Sequence, residues 1–363
     1  MRNIRLNIFV TTVILICIGI VMIYSASSIY ALERYKDSMY FLKRHLALVF
    51  IGAVFTFFIM GIDYRILRKY AKPALLSSFV LLILVLIPGI SREVAGARRW
   101  FRFAMFSFQP SELMNLVLIV YVADFISRKK NAIKDFWGGF LPVMCVLGLA
   151  VLLILAQPDL GTAVSLAAVI VVMLFVAGTR LSHLAGVVIA SIPFLYILIF
   201  SVPYRRMRIM AFLNPWLDPK GSGFQIIQSN VALGSGGIFG IGLGHSKQKL
   251  FYLPAGHTDF IFSIIGEELG LLGTLVICFL FINLLIQGVK ISRHAPDIFG
   301  HLLSLGIILL ISIKAIINIG VSSGFFPTKG LPLPFISYGG SSLVFNMVGV
   351  ALLLNVAKSR PKI

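Results

Sequence analysis

The sequence predicts an all-α polytopic membrane protein of about ten transmembrane helices, folded as one domain over residues 1–363. Hydrophobic residues make up 59% of the chain, and the mean hydropathy is +0.98. The apolar runs are continuous, whereas the strands of a membrane barrel would alternate apolar and polar residues. A bilayer-spanning helix needs roughly 20 mostly apolar residues, so each run is long enough to be a span.

Reading the apolar runs between charged or Gly/Pro-rich breaks gives the predicted spans in order. They are residues 7–27, 45–61, 72–90, 111–127, 139–157, 161–178, 183–203, 260–289, 300–322 and 341–357. The first span follows Arg2 and Arg5 but lacks a small-residue cleavage pattern, so we expect a retained helix rather than a signal peptide. The three cysteines all fall inside spans, which indicates packing and not a disulfide framework.

Basic residues predict the orientation of the chain. With ten spans both termini share one side, whose short loops carry Arg65, Arg68, Lys69, Lys72 and Arg128. The positive-inside rule therefore predicts cytoplasmic termini. The opposite face is also basic, which favours an anionic ligand there, although anchoring to anionic headgroups would produce the same pattern. The net charge of +19 does not indicate a nucleic-acid binder, because it is divided between both faces and no soluble domain carries it.

Two outer segments are not predicted to be simple transmembrane helices. Residues 204–259 are one long connection, and loops of that length are usually functional or disordered. Within it, residues 204–213 mix basic and apolar side chains and predict a short helix in the headgroup layer. The glycines of residues 234–244 do not have the spacing of a dinucleotide loop. The second segment, residues 326–342, contains three prolines and predicts the lining of a cavity that opens outward.

Only thirteen acidic residues occur in the chain, and an acid inside or beside a span costs free energy. Asp124 lies four residues before Arg128, which predicts an ion pair on one helix. Glu112 follows a proline at the outer end of a span. Its carboxylate therefore either stabilises the positive end of that helix or faces the cavity, and the sequence leaves both interpretations open.

A second set of charges lies deeper in the predicted bundle. Glu267 and Glu268 are roughly 12 Å below the outer surface at 1.5 Å per residue. Lys314 lies at a similar depth on the next, antiparallel span. Since a charge in hydrocarbon needs an opposite partner, the sequence predicts a salt bridge between Lys314 and Glu267 or Glu268.

Asp259 is the acid that most needs an explanation, because it lies where the long outer segment enters the eighth span. At a helix N-terminus the dipole favours an ionised carboxylate, whereas nearby apolar surface raises its pKa. A carboxylate between these two influences is suited to act as a general base. The simpler interpretation is a helix cap for the residues from Phe260 onward.

A series of short motifs runs in order along nearly the whole chain. They are Tyr24-Ser25-Ala26-Ser27, Arg99-Trp100, Gln109-Pro110-Ser111-Glu112, Gln157-Pro158-Asp159-Leu160-Gly161-Thr162, Gly234-Ser235-Gly236-Gly237, His257-Thr258-Asp259-Phe260, Gly266-Glu267-Glu268, Pro327-Thr328-Lys329-Gly330 and Ser337-Tyr338-Gly339-Gly340-Ser341-Ser342. Together they resemble the SEDS family (shape, elongation, division and sporulation) with its FtsW, RodA and SpoVE branches. Residues 248–254 and 327–330 resemble the FtsW branch more than RodA.

The resemblance implies a peptidoglycan glycosyltransferase that polymerises lipid II at the outer face of the bacterial cytoplasmic membrane, for septal wall synthesis in cell division. Asp259 would be the catalytic base for attack of an acceptor hydroxyl on C1 of the donor sugar, with inversion and loss of diphosphate. The implied substrate-binding residues are Glu112, Trp100, Arg208, His257, Lys329 and Ser337. Positive charge from Lys329, Arg208 or a divalent cation, Mg²⁺ or Mn²⁺, would stabilise the diphosphate, and no organic cofactor is implied.

The implied partners are lipid II, the lipid-linked glycan strand, a class B penicillin-binding protein that acts as transpeptidase, and other membrane proteins of the divisome. Three alternatives stay open: a lipid II flippase, a RodA-type elongation polymerase and a non-catalytic divisome scaffold. The sequence shows no paired broken helices of the transporter kind, and the presence of Asp259 and Glu112 argues against a scaffold.

Three positions depart from the pattern of the family. Ala255 stands where the family has a glutamate, Asn115 where it has a lysine, and Lys314 where the ninth span has a glutamine. The second departure removes the expected partner of Glu112, and the third adds a base.

Overall fold

The computed structural model describes residues 1–91, 97–102, 107–129, 132–250 and 252–359, so Phe251 of the motif at residues 248–254 lies outside them. Within these ranges the chain forms twelve α-helices and one small hairpin. The helices are α1 Arg2–Tyr35, α2 Tyr40–Gly61, α3 Leu67–Leu84, α4 Pro110–Arg128, α5 Leu141–Ala156, α6 Leu160–Val176, α7 Leu181–Phe200, α8 Pro203–Leu213, α9 Phe224–Ser235, α10 Ile261–Arg293, α11 Ile298–Ser322 and α12 Ser341–Lys358. The antiparallel strands are β1 Phe101–Arg102 and β2 Ser107–Phe108.

Ten of these helices coincide with the ten predicted spans, so the fold class is confirmed. Among the described residues, eight helical regions are long and apolar enough to cross a membrane; they contain α1, α2, α4, α5, α7, α10, α11 and α12. The other two are α6, which has 17 residues, and α3, which carries Arg68, Lys69 and Lys72 in its first turns. The protein is therefore a multi-pass membrane protein.

The centre of the bundle consists of α4, α11 and α12, whose apolar stretches are mostly buried. α11 packs against α4, α6, α10 and α12. At Gly306 of α11 an added Cβ would lie 2.5 Å from the Ile119 side chain of α4. Small residues at such contacts let helix backbones approach closely, which is the usual packing of membrane helices. α7 lies at the periphery, with an almost entirely exposed apolar surface.

Segments predicted to share the cytoplasmic face are in contact with one another. The Tyr64 hydroxyl, after α2, donates to Asp297 at 2.5 Å, and Arg65 Nε lies 3.0 Å from the same carboxylate. The predicted ion pair of Asp124 and Arg128 is present at the end of α4. The contacts of Tyr64 and Arg65 with Asp297 bring the end of α2 and the start of α11 together at one end of the bundle.

The long helix α10 is broken, although the sequence predicts a continuous span. Gly270 has a φ of 67°, in the left-handed region that favours glycine. Around this break, the carbonyls of Glu267 and Glu268 accept hydrogen bonds from Ile241 N and Gly242 N, at 3.0 and 3.1 Å. The glycine-rich part of the outer segment thus enters the bundle, and its backbone N–H groups pair with carbonyl groups at the break in α10. Irregular backbone is tolerated in a membrane when protein satisfies it in this way.

The buried charges pair differently from the prediction. Lys314 Nζ lies 2.5 Å from Glu112 Oε2 on α4, and the predicted pairing with Glu267 or Glu268 is wrong. Glu268 instead pairs with Lys249 of the outer segment at 3.0 Å. Glu267 accepts hydrogen bonds from backbone N–H groups of the same segment. Position along a helix gives the depth of a side chain but not the direction in which it points.

The outer segment contains two helices. α8 confirms the short helix predicted at residues 204–213, whereas α9 was not predicted. α9 packs on the first part of α10, where Ser229 Oγ and Ser263 Oγ lie 2.5 Å apart. Ser229 also donates to Ser322 O of α11 at 2.7 Å. Through these hydroxyl contacts α9 packs against α10 and α11, close to the turn that leads into α10.

Candidate active site

Asp259 lies two residues before the first residue of α10, within a tight turn. Thr258 N and Phe260 N both donate to Ala255 O, at 3.0 and 3.3 Å, and Ala255 has a φ of 58°. α10 begins without a side-chain cap. The Asp259 carboxylate has no hydrogen-bond partner among the residues that the structure describes. The interpretation of Asp259 as a helix cap is therefore wrong.

The surroundings of the Asp259 carboxylate combine burial with charge. A Cβ added to Gly330 would lie 3.2 Å from Asp259 Oδ2, so the side chain rests against this glycine. Burial raises the pKa of Asp259 from 3.8 to about 6. The charges of Arg208 and then Arg99 oppose this rise, and the charge of Asp159 adds to it. All three groups are thus close enough to act on the carboxylate.

Arg208 of α8 holds the segment that faces Asp259. Its Nη1 donates to Thr328 O at 2.9 Å and its Nη2 to the Tyr204 hydroxyl. The guanidinium also lies 4.4 Å from the centre of the Tyr204 ring, a cation–π distance. Lys329, the next residue along, is half-buried; burial lowers its pKa, and the charge of Asp159 raises it. Arg208 and Lys329, both predicted binding residues, therefore belong to one group with the catalytic candidate.

Arg99 and Asp159 were not among the site residues predicted from the sequence, but they complete this group. Arg99 Nε donates to Gln157 O at 2.8 Å, and its guanidinium lies 5.9 Å from the Trp100 ring. Asp159 is the N-cap of α6, where it accepts hydrogen bonds from Thr162 N at 3.2 Å and Thr162 Oγ1 at 2.8 Å. Both residues lie in motifs that carried the resemblance, and this was the signal that could have selected them.

Glu112 is buried in the first turn of α4 and has Lys314 of α11 as its partner. The carboxylate lies in the first turn of α4, as the first of the two interpretations requires, and because it is paired with Lys314 it does not stand alone in a cavity. Asn115, one turn further along α4, is fully buried, and neither its Nδ2 nor its Oδ1 has a hydrogen-bond partner in the described part of the chain. The departures at positions 115 and 314 therefore compensate: the cation for Glu112 comes from α11.

His257 and Ser337 support the turn that carries Asp259. The Ser337 hydroxyl is buried and donates to Thr258 O at 2.6 Å. The His257 ring lies 4.6 Å from the Phe41 ring, and burial lowers its pKa to about 4, so it is neutral at pH 7. Most of residues 331–337 are buried. This part of the second outer segment packs inside the protein, contrary to the expectation that it lines a cavity.

The donor set around Asp259 does not fit a metal ion held by the protein. Mg²⁺ and Mn²⁺ prefer about six oxygen ligands. The neighbours of Asp259 are the cations Arg99, Arg208 and Lys329, and Asp159 is already bonded within its own helical turn. The described residues contain no group of three His, Cys, Asp or Glu that could hold a metal. Among the described residues, the positive charge near Asp259 comes from Arg99, Arg208 and Lys329.

Comparison with known proteins identifies relatives over the full chain. The family model of the FtsW, RodA and SpoVE cell cycle proteins matches residues 5–362. The chain is 49% identical over 352 residues to the probable peptidoglycan glycosyltransferase FtsW of Geobacter metallireducens, covering 97% of this chain and 94% of that one. It is 46% identical over 353 residues to the stage V sporulation protein E of Bacillus subtilis, covering 97% and 96%.

Solved structures share the fold. One, from a study of how a peptidoglycan synthase complex coordinates polymerization and crosslinking, has a chain that matches with a TM-score of 0.79 and 30% identity, over 97% of this chain and 96% of that one. The rod shape determining protein RodA of Thermus thermophilus matches with a TM-score of 0.72 and 28% identity, over 97% and 95%. On sequence and structure together, the chain belongs to the FtsW/RodA/SpoVE family of cell cycle proteins.

Proposed function

We propose that this chain polymerises lipid II into glycan strands for septal wall synthesis, with Asp259 as the general base. The chain is a membrane-embedded peptidoglycan glycosyltransferase of the FtsW type. The observation that supports Asp259 most is its carboxylate, which is partly buried, has no hydrogen-bond partner among the described residues and has a pKa raised to about 6. The buried acids Asp159 and Glu112, by contrast, are both bonded to neighbouring side chains.

In this reaction the acceptor hydroxyl oxygen bonds to C1 of the donor sugar while the bond from C1 to the diphosphate breaks, with inversion. Asp259 accepts the hydroxyl proton. With a pKa of about 6 the carboxylate is ionised in roughly nine-tenths of molecules at pH 7. This pKa is also closer to the working pH than the pKa of an ordinary aspartate, and that match favours proton transfer in the transition state.

Arg208, Arg99 and Lys329 would balance the charge of the departing diphosphate. An arginine has five N–H donors, and backbone carbonyls and a hydroxyl occupy only some of those on Arg208 and Arg99. The carbonyl contacts hold each guanidinium in place, and the remaining donors can bind phosphate oxygens. Fixed cations aimed at developing negative charge stabilise a transition state without reorganisation.

The test is polymerisation of purified lipid II by the full-length protein together with its class B penicillin-binding protein. Asp259→Asn should lower the rate by at least about 100-fold, the usual contribution of a general base. Folding and lipid II binding should persist, because the amide keeps the shape and no hydrogen bond is lost. Asp37→Asn, at an exposed acid paired with Lys43, is the matched control and should retain activity.

Two results would contradict the proposal. One is wild-type protein that, with its partner, makes no glycan strands. The other is an Asp259→Asn variant that makes them at near the wild-type rate. Lipid II transport without polymer would point instead to a flippase.

The class B penicillin-binding partner and the cytoplasmic location of both termini are parts of the same proposal. The first is supported by the structural likeness to a chain of a synthase complex. The second is supported by the basic inner loops and by the contact of Tyr64 and Arg65 with Asp297. A C-terminal reporter that is active only in the periplasm would overturn the orientation.

A further inference from the structure

Asn318 of α11 joins the two segments of the site. Its side chain is buried, and its Nδ2 donates to Asp259 O at 2.8 Å and to Leu331 O at 2.7 Å. We propose that Asn318 is a positioning residue that sets the distance between the Asp259 carboxylate and the segment of Lys329 and Gly330. The inference rests on the proposed role of Asp259 as general base.

The chemistry of the Asn318 amide suits this task. Both neighbouring atoms are carbonyl oxygens, which only accept hydrogen bonds, so the NH₂ group must face them and both of its protons are used. The other end, Oδ1, is buried and has no hydrogen-bond partner among the described residues. A buried unpaired oxygen costs free energy. Asn318 therefore contributes to the structure through the two hydrogen bonds that its NH₂ group donates.

These two bonds complete a double attachment of residues 328–331. Arg208 binds Thr328 O at one end of this stretch, and Asn318 binds Leu331 O at the other. Gly330 lies between the two attachments, where even a Cβ would come within 3.2 Å of Asp259 Oδ2. A reacting group displaced by about 1 Å can lose roughly 100-fold in rate, so release of either attachment should be visible in catalysis.

Asn355 of α12 provides a matched control. Its Nδ2 also donates to two carbonyl oxygens, those of Ile59 at 2.7 Å and Ile62, and its Oδ1 accepts from Tyr64 N at 3.2 Å. It is buried like Asn318. Its contacts lie at the cytoplasmic end of the bundle, however, and none of them involves the segments of the site. The same substitution at both positions therefore separates loss of packing from loss of positioning.

The experiment compares Asn318→Leu with Asn355→Leu in full-length protein with its partner, and measures kcat, KM, the pH profile and thermal unfolding in detergent. Asn318→Leu should lower kcat roughly 10- to 100-fold with little change in KM. It should also move the midpoint of the acid limb downward from about pH 6, because a released Asp259 becomes more solvated. Asn355→Leu should lower the unfolding temperature and leave both kinetic readouts unchanged.

A second variant, Gly330→Ala, tests the spacing itself, and its effect in the wild-type background does not depend on how well Asn318→Leu folds. Gly330→Ala brings a methyl group to 3.2 Å from the Asp259 carboxylate and should lower kcat in the wild-type background. In Asn318→Leu the same change should cost less, because the released segment can move away. Such coupling is expected only if Asn318 maintains the spacing.

The outcomes separate the inference from the function on which it rests. Equal kcat and pH midpoint in Asn318→Leu and Asn355→Leu would overturn the positioning role while the general base remains Asp259. If Asn318→Leu does not fold, an unchanged kcat in Gly330→Ala overturns it instead. Failure of the wild-type protein to polymerise lipid II would count against the proposed function itself.

Discussion

Lys314→Gln would leave the Glu112 carboxylate without the cation that lies 2.5 Å from it. Glu112 is only 3% exposed, so water cannot replace the lost charge. Removing one partner of a buried ion pair costs about 3–5 kcal/mol. A glutamine at this position can still donate a hydrogen bond to the carboxylate, which recovers about 1–2 kcal/mol. Taking the midpoints of these two ranges, we expect a net loss of about 2.5 kcal/mol in the free energy of unfolding.

A second substitution, at Asn115, is expected to reverse this loss of stability. Asn115 lies three residues after Glu112 and therefore on the same face of α4, buried and without a hydrogen-bond partner for its amide in the described chain. A lysine there can supply the missing cation from Glu112's own helix. The double variant Lys314→Gln with Asn115→Lys should thus recover most of the lost stability. Asn115→Lys alone should destabilise, because it places two cations beside one carboxylate.

Thermal unfolding of the detergent-purified variants measures each step of this cycle. The expected coupling between positions 115 and 314 is at least about 2 kcal/mol, well above the roughly 0.5 kcal/mol within which independent sites add. Two findings would refute the argument: a Lys314→Gln variant as stable as wild type, or a double variant no more stable than the worse single one. Either result would mean that a neutral contact can replace the ion pair of Lys314 and Glu112 without loss of stability.

Three further predictions concern Asp259 and Gly236. Because the pKa of folded Asp259 is raised from 3.8 to about 6, polymerisation should fall about tenfold per pH unit below 6. The same shift means that the ionised carboxylate destabilises the fold above about pH 6, by up to about 3 kcal/mol, and that this penalty disappears below about pH 4. Asp259→Asn should consequently unfold at a higher temperature than wild type at pH 7.5, and a lower temperature there would contradict the burial of this charge. Gly236→Ala should destabilise by at least about 2 kcal/mol in thermal unfolding, because its Cβ would lie 1.9 Å from Gly266 O, and unchanged stability would show that α10 and the outer segment are not in close contact.

The sequence by itself determined the membrane class, the helices and the residue most in need of a chemical explanation. Each predicted span coincides with a helix, because hydrocarbon tolerates only backbone whose hydrogen bonds are satisfied within the protein. The short helix at residues 204–213 was predictable for a related reason, since its mixed basic and apolar composition suits an interface. Asp259 was identified as the acid to explain because a carboxylate at a membrane boundary costs free energy.

Only the tertiary structure decided which charges meet. Lys314 pairs with Glu112, and Glu268 pairs with Lys249, a residue of the outer segment that no depth argument placed inside the bundle. The break at Gly270 and the two bonds donated by Asn318 were likewise absent from the pattern of residues. Position along a helix reports how deep a residue lies but not the direction in which its side chain points. The rotation of one helix against another, and the return of a loop into the bundle, depend on contacts between residues far apart in the chain.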